Sequence, residues 1–210
     1  MSGVPPLLRW ARELQALAQS GLAYGDVTVH DRERYEQVRR LAAEMLASSN
    51  GLDALALERL FWGQIGHATP KLDIRGVLFR ADTILLVQER ADGGRWTLPG
   101  GWVEIGESPS EAVTREVREE SGYRTRAVKL LALYDRDRHG HPPHLWHTWK
   151  VVVLCELVDD RQGPLGPETE GADFFALDGL PELSQSRVTE RQLARCFEHR
   201  LHPEWPADFD

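Results

Sequence analysis

Two cysteines in 210 residues are too few to staple a fold together. Cys155 lies in an apolar, strand-like run and reads as a buried reduced thiol rather than a nucleophile. That implies a reducing setting, the cytoplasm. Long apolar runs are missing too. No stretch approaches the roughly 20 residues needed to cross a bilayer, and the first residues lack the pattern of a secretory signal. Nor is there a surplus of positive charge: 25 Lys and Arg against 33 Asp and Glu leave a net charge of −8. Such a balance disfavours nonspecific binding to nucleic acid while leaving small, metal-bound nucleotides acceptable. With 41% hydrophobic and 28% charged residues, the chain has material for one substantial core and a smaller one.

What the sequence does contain is concentrated between Gly101 and Tyr123, GWVEIGESPSEAVTREVREESGY, with six glutamates. Ser108 is a good N-cap, Pro109 suits the first helical position, and Glu111 completes a Ser-x-x-Glu capping box. Gly122 favours a left-handed stop. A helix is therefore expected from Pro109 to Glu120 or Ser121. On it Glu116, Glu119 and Glu120 fall at i, i+3 and i+4, on one face. At about 5 Å and an effective dielectric of about 20, each like-charged pair costs about 3 kcal/mol before screening. Arg115 can pair with Glu119, but one guanidinium does not neutralise three carboxylates. An ordinary solvated acidic face is the alternative. The turn and the caps favour a built site, and clustered carboxylates suit a hard divalent cation such as Mg²⁺.

The pattern Gly-x5-Glu-x7-Arg-Glu-aliphatic-x-Glu-Glu-x-Gly resembles the Nudix box of pyrophosphohydrolases. Gly101, Glu107, Arg115, Glu116, Val117, Glu119, Glu120 and Gly122 fill it, and Tyr123 replaces the final aliphatic residue. The resemblance implies that Glu116, Glu119 and Glu120 ligate the metal, joined by the backbone carbonyl of Gly100. It implies that Glu107 and Arg115 pair and lock the loop to the helix. Leu98-Pro99-Gly100-Gly101 would be the turn, where side chains would block close approach. Family members cleave a nucleoside diphosphate linked to a moiety X, giving a nucleoside monophosphate and phospho-X.

A pyrophosphate repels hydroxide, and bound Mg²⁺ or Mn²⁺, in two or three ions, both screens that charge and activates a water. A general base should assist. Glu119 is one candidate within the box. Many relatives supply a glutamate from a later loop, which here would be Glu168 or Glu170, with Glu168 preferred over an ordinary exposed loop acid.

The chain divides near residue 68. Before it, helical spacing runs through Leu7, Trp10, Ala11, Leu14, Leu17 and Ala18, with Gly21 as the expected end. Asp31 is the expected cap of a second helix through Tyr35, Val38, Leu41, Ala42, Met45 and Leu46. Asn50-Gly51 marks a turn, and Leu52 to Trp62 a third helix. After residue 68, strands are expected at Ile74–Phe79, Thr83–Gln88, Ala127–Tyr134 and Trp149–Leu157, with a hairpin turn at Arg80-Ala81-Asp82 and a closing helix over Thr189–His199. This is an α/β arrangement with a mixed sheet between helices. The resemblance makes residues 69–210 the α/β/α Nudix sandwich and catalytic domain, preceded by a small all-α extension over residues 1–68.

Flanking segments, from Asp31-Arg34-Tyr35 to Arg187-Val188-Thr189 and Phe209-Asp210, resemble Nudix hydrolases with a helical amino-terminal extension. Some of these cleave CDP-choline and related compounds, others ADP-ribose, and such relatives dimerise through the extension, so a homodimer is expected. The proline that often follows the box in ADP-ribose hydrolases is displaced to Pro142 and Pro143. That tilts the expectation to a CDP-alcohol, with ADP-ribose or a nucleotide sugar second. Trp146 or Trp149 is available to stack on a base. Arg75 either meets a phosphate or serves in a structural salt bridge. Trp96 is expected behind the loop. His139, His141, His144 and His147 read as a polar loop lining the cleft in preference to a zinc site, their spacing matching no standard finger. From another class, a non-hydrolysing Nudix-fold sensor is the rival. Degenerate sensors tend to lose box carboxylates, and all of them are present here. Residues 1–68 hold seven arginines and eight acids, a poor surface for gripping phosphate backbones.

Overall fold

The computed structural model describes residues 4–24 and 26–210. It separates into two units, the chain up to Pro70 with Pro143–His147, and Lys71–Pro142 with Thr148–Asp210. In the first, α1 (Pro6–Ala23), α2 (Val29–Asn50) and α3 (Ala54–Trp62) bury Leu8, Ala11, Ala42, Leu46, Leu57 and Phe61. Leu145 and Trp146 close this core, Trp146 meeting Phe61 edge-on at 6.0 Å between ring centres.

Two expectations for these helices fail for a physical reason. Gly21 does not end α1, which runs on to Ala23. A Cβ at Gly21 would lie 2.4 Å from the Tyr35 ring, so the missing side chain makes room for α2. Asp31 does not cap α2. Thr28 does, its hydroxyl accepting from the Asp31 N–H at 3.1 Å, and Asp31 stands in the first turn, paired with Arg34 at 2.7 Å. Gly51 closes α2 in a left-handed conformation, and α3 starts after an Asp53 cap, two residues later than the apolar pattern indicated.

The second unit is a seven-stranded mixed sheet with a helix on each face. Its strands are β1 (Lys71–Arg80), β2 (Thr83–Glu89), β3 (Arg95–Thr97), β4 (Tyr123–Asp135), β5 (Thr148–Gln162), β6 (Thr169–Phe175) and β7 (Asp208–Phe209). The order is β3-β2-β1-β5-β4-β7, with β6 also on β2. β1 runs parallel to β5 from Lys71↔Thr148 to Leu78↔Cys155, and a hairpin through Ala81-Asp82 turns it into β2. β4 and β5 extend well beyond their apolar segments. Their outer ends alternate, and the exposed face is tied by Arg126–Glu156 and by Arg124–Asp159 at 3.3 Å.

Helices α4 (Pro109–Ser121) and α5 (Glu190–Leu201) cover the two faces. Ala112, Val113 and Val117 of α4 pack with Ile74, Leu78, Leu85 and Val153. On the other face Leu193 and Cys196 of α5 join Val77, Leu86, Leu98, Leu131 and Val152. Gly76 explains the break in the β1 pattern: a Cβ there would lie 2.4 Å from Val117, so the glycine brings α4 down onto the sheet. Trp96 packs edge-on against Phe175 at 4.8 Å, behind the loop. Both cysteines are buried and unpaired. Among the described residues no helix is long and apolar enough to cross a membrane.

Asp208 secures β7. Its carboxylate accepts from Arg195 at 2.6 and 2.8 Å and from the Tyr134 hydroxyl at 3.0 Å, with His199 Nε2 at 3.1 Å. The Arg195 hydrogen bonds hold the carboxyl far below the usual range, against the opposing effect of burial. The folded-state value lies below the unfolded one, so this stabilisation is complete above about pH 4 and drains away as pH falls further. Asp208→Asn should cost about 1–3 kcal/mol at pH 7, and its deficit from wild type should shrink below pH 4 in denaturant titrations. A deficit unchanged from pH 7 to pH 3 would contradict the assignment.

Candidate active site

The loop after β3 runs along the open edge of β1. Gly76 N–H donates to the Pro99 carbonyl at 2.8 Å and Ile74 N–H to that of Gly101 at 2.8 Å, while Val103 N–H reaches back to Leu72 at 3.3 Å. Only glycine fits at position 100. Its φ is +142°, and a Cβ would lie 1.9 Å from the Ile74 carbonyl oxygen. A Cβ on Gly101 would lie 3.0 Å from the Glu116 carboxylate. The bare loop therefore sits directly against the acidic face of α4.

α4 forms as its local signals require. Ser108 accepts from the Glu111 N–H at 3.3 Å, Glu111 accepts from the Ser108 N–H at 2.9 Å, and Gly122 ends the helix at φ 74°. Its face brings Glu116, Glu119 and Glu120 together. Arg115 Nη1 reaches Glu116 at 2.9 Å and Glu119 at 3.1 Å. The other side of the same guanidinium grips Glu107, Nε to Oε1 at 2.6 Å and Nη2 to Oε2 at 3.0 Å. Glu107 is held below its usual value by this pairing. Glu120 accepts the Gly100 N–H at 2.8 Å, joining the helix to the loop.

Burial pushes Glu120 up to about 7, with Glu116 and Glu89 adding to the rise and Arg75 and the Gly100 N–H opposing it. Burial likewise raises Glu116, and Arg115 only partly offsets it. The face is short of positive charge. Its donors are carboxylate and carbonyl oxygens, and the glycines leave a cradle that a Cβ would fill. That chemistry and space fit a hard divalent cation.

Arg75 is 5% exposed, donating from Nε to Asp73 at 2.8 Å and from Nη1 to the Leu98 carbonyl at 3.1 Å. Lys150 pairs with the same Asp73. Burial carries the Lys150 amine down to about 8, with Asp73 resisting. Of the two sequence readings of Arg75, the geometry favours the salt bridge beneath the loop. Glu168 lies on the exposed turn leading into β6. Trp149 is 41% exposed at the start of β5, whereas Trp146 is spent in the helical core. His139 meets Asp210 at 3.0 Å, His141 the Gln185 carbonyl at 2.8 Å, and His144 the Trp146 carbonyl at 3.1 Å, each engaged separately.

Glu89 is the neighbour that the sequence pattern did not single out. It is 8% exposed at the end of β2, held by Arg187 at 3.4 Å and close enough to Glu120 to raise it. A charged residue ending an apolar strand carries no mark of this in the sequence, since its meaning arises from the α4 carboxylates across the sheet.

Comparison with known proteins follows the same division. The NUDIX domain profile matches residues 69–196, and that of the UDP-X-like, N-terminal oligomerisation domain matches residues 5–61. YjhB of Bacillus subtilis strain 168, provisionally named an ADP-ribose pyrophosphatase, is 45% identical over 97% of this chain and 96% of its own. A crystal structure of UDP-X diphosphatase is 31% identical, covers 97% of this chain and 98% of that one, and superposes with a TM-score of 0.62. An ADP-ribose pyrophosphatase from Streptococcus suis 89-1591 is 39% identical over 68% of this chain and all of its own, with a TM-score of 0.61.

Glu120→Gln keeps an oxygen for the Gly100 N–H while removing one charge from the crowded face. Without metal its melting temperature should equal or exceed that of wild type. Excess Mg²⁺ at a hundred times Kd should stabilise wild type by about 2.7 kcal/mol and the variant hardly at all. A variant as responsive to Mg²⁺ as wild type would remove Glu120 from the metal-holding set.

Proposed function

The chain belongs to the Nudix family of hydrolases, and from that membership we propose that it is a divalent-metal-dependent pyrophosphohydrolase, cleaving a nucleoside diphosphate linked to X into a nucleoside monophosphate and phospho-X. The observation that carries this reading is the acidic face of α4, closed on one side by the side-chain-free Gly100-Gly101 turn and short of cationic partners. Glu116, Glu119, Glu120 and the Gly100 carbonyl are the proposed holders of Mg²⁺ or Mn²⁺, in two or three ions. Bound there, the cation screens the diphosphate and lowers the pKa of a ligated water.

The protein's own groups do the rest. Arg115 divides its guanidinium between Glu107 and the α4 carboxylates, so the loop and the helix move as one. Glu120, bonded to the Gly100 N–H, ties the Pro99–Gly100 peptide to α4 and so holds the turn that carries the Gly100 carbonyl. Glu168, on a turn tied to α4, is the proposed acceptor of the proton of the attacking water. Glu119, paired with Arg115, is the second choice. Arg75 acts beneath the loop by holding the Leu98 carbonyl. Trp149 remains the exposed aromatic available to a base or to X.

For the substrate, the 45% identity with YjhB and the 39% identity with the Streptococcus suis enzyme move ADP-ribose ahead of CDP-choline, which the position of the prolines had favoured. A UDP-linked compound stands beside it through the likeness to UDP-X diphosphatase over nearly the whole chain. The helical unit exposes Leu17, Val29, Leu55 and Ile65, and its match is to an oligomerisation domain, which supports a homodimer. Two unpaired buried thiols fit a cytoplasmic setting.

A panel of ADP-ribose, CDP-choline and UDP-sugars with Mg²⁺ or Mn²⁺ tests this directly. Release of a nucleoside monophosphate is expected, with ADP-ribose turned over fastest. Glu168→Gln should lower kcat by about 10²–10⁴-fold. Binding of these compounds without cleavage of any would replace the enzyme by a nucleotide sensor.

A further inference from the structure

We propose that Gly166 and Gly163 are positioning residues, forming a main-chain clasp that fixes the turn carrying Glu168 against the end of the metal-holding helix. The proposal deepens the reading of Glu168 as general base and rests on it. The last carbonyls of a helix have no partner within it. In α4 those of Glu119 and Ser121, with that of the Gly122 cap, are taken up by the end of β5 and the segment that follows it. Gly166 N–H donates to the Glu119 carbonyl at 2.7 Å, Gly163 N–H to that of Gly122 at 2.9 Å, and Gln162 Nε2 to that of Ser121 at 3.1 Å. The residue whose side chain is proposed to hold metal thus offers its backbone to the arm of the proposed base.

The approach is close enough to require bare backbone on both sides. A Cβ at Gly166 would lie 2.6 Å from the Glu119 carbonyl oxygen, and one at Gly122 2.3 Å from that of Gly163. At Gly163 the contact is milder, 3.2 Å to the Gly122 oxygen. Beyond the clasp, the turn is closed by Thr169 N–H to the Gly166 carbonyl at 3.3 Å. Its far end is pinned to the sheet, where Arg90 N–H donates to the Glu168 carbonyl at 3.0 Å and Thr169 pairs with Glu89 across a bulge. Only Pro167 and Glu168 lie between the two anchors. The backbone of Glu168 is therefore registered to α4 and β2 while its side chain stays exposed, which is what a group meeting a water in an open site requires.

The test is a double-mutant cycle in the full-length protein. Gly166→Ala should lower kcat 10–100-fold, leave KM and the Mn²⁺ affinity within twofold, and have no further effect on kcat in the Glu168→Gln background. Gly163→Ala, the gentler change, should give a smaller loss of the same kind, and serves if Gly166→Ala does not fold. Gly179→Ala, with nothing within 4 Å of the added carbon, should behave as wild type. Wild-type kcat in Gly166→Ala, or a loss that multiplies with Glu168→Gln and weakens Mn²⁺ binding, overturns the clasp as a device acting through Glu168. Unchanged kcat in Glu168→Gln alone removes the base assignment instead. Amide exchange then judges the clasp: a protected Gly166 N–H in wild type that exchanges quickly in Gly163→Ala sustains it, and an unprotected one overturns it.

Discussion

Like charges crowded on one face of α4 are the constraint around which the second unit is built. Glu116 and Glu120 are largely removed from water beside Glu119, and Glu89 adds a further carboxylate from the sheet. Arg115 touches Glu116 and Glu119, half of its guanidinium is committed to Glu107, and Arg187 pairs with Glu89. Burial, with Glu116 and Glu89 adding to it, pushes the Glu120 carboxyl up to about 7. An arrangement so costly persists only where the surrounding structure over-determines it. The capping box fixes where α4 starts, Gly122 where it ends, and Gly76 how closely it lies on β1. The Gly100 N–H gives Glu120 a hydrogen bond that ties the helix to the loop.

The parts set by neighbours in sequence were legible in advance. A serine three residues before a glutamate, a proline at the first turn and a glycine after the last dictate one helix, and i, i+3, i+4 spacing dictates one face. The pairing of Glu107 with Arg115 came from the family resemblance, and the two meet at 2.6 Å. Where distant contacts decide, local patterns misled. Gly21 looked like a stop but yields space to Tyr35. Asp31 misled for a local reason, since Thr28, three residues earlier, is itself a capping residue. Three-residue β3 and two-residue β7 carry too little pattern to be seen, and exist because β2 and β4 offer edges to them. β4 and β5 were cut short because charged residues on their exposed face hid the alternation. The roles of Glu89 and Arg75 are tertiary facts, since neither lies on the box helix. The same holds of the helix-end carbonyls that receive the Glu168 turn.

The two units divide the chemistry. The sheet and its helices hold every group proposed for the diphosphate, and the loop before α5 ties into this framework through Arg187, which touches both Glu89 and Asp92. The helical unit contributes none of the proposed metal or proton-transfer groups. It exposes apolar side chains on all three of its helices, Leu17, Val29 and Leu55 among them. The nucleoside and X are therefore the part of the substrate left to features outside the box. That is why the box identifies a reaction class, while relatives matching both units bear more on its substrate.

Diffraction from crystals soaked in Mn²⁺, read from the anomalous signal of the metal, tests the account most directly. It predicts peaks bonded to the carboxylates of Glu116 and Glu120 and to the Gly100 carbonyl oxygen, with Glu119 completing the set. Mn²⁺ bound elsewhere, with those three carboxylates splayed into solvent and carrying no density, would contradict it.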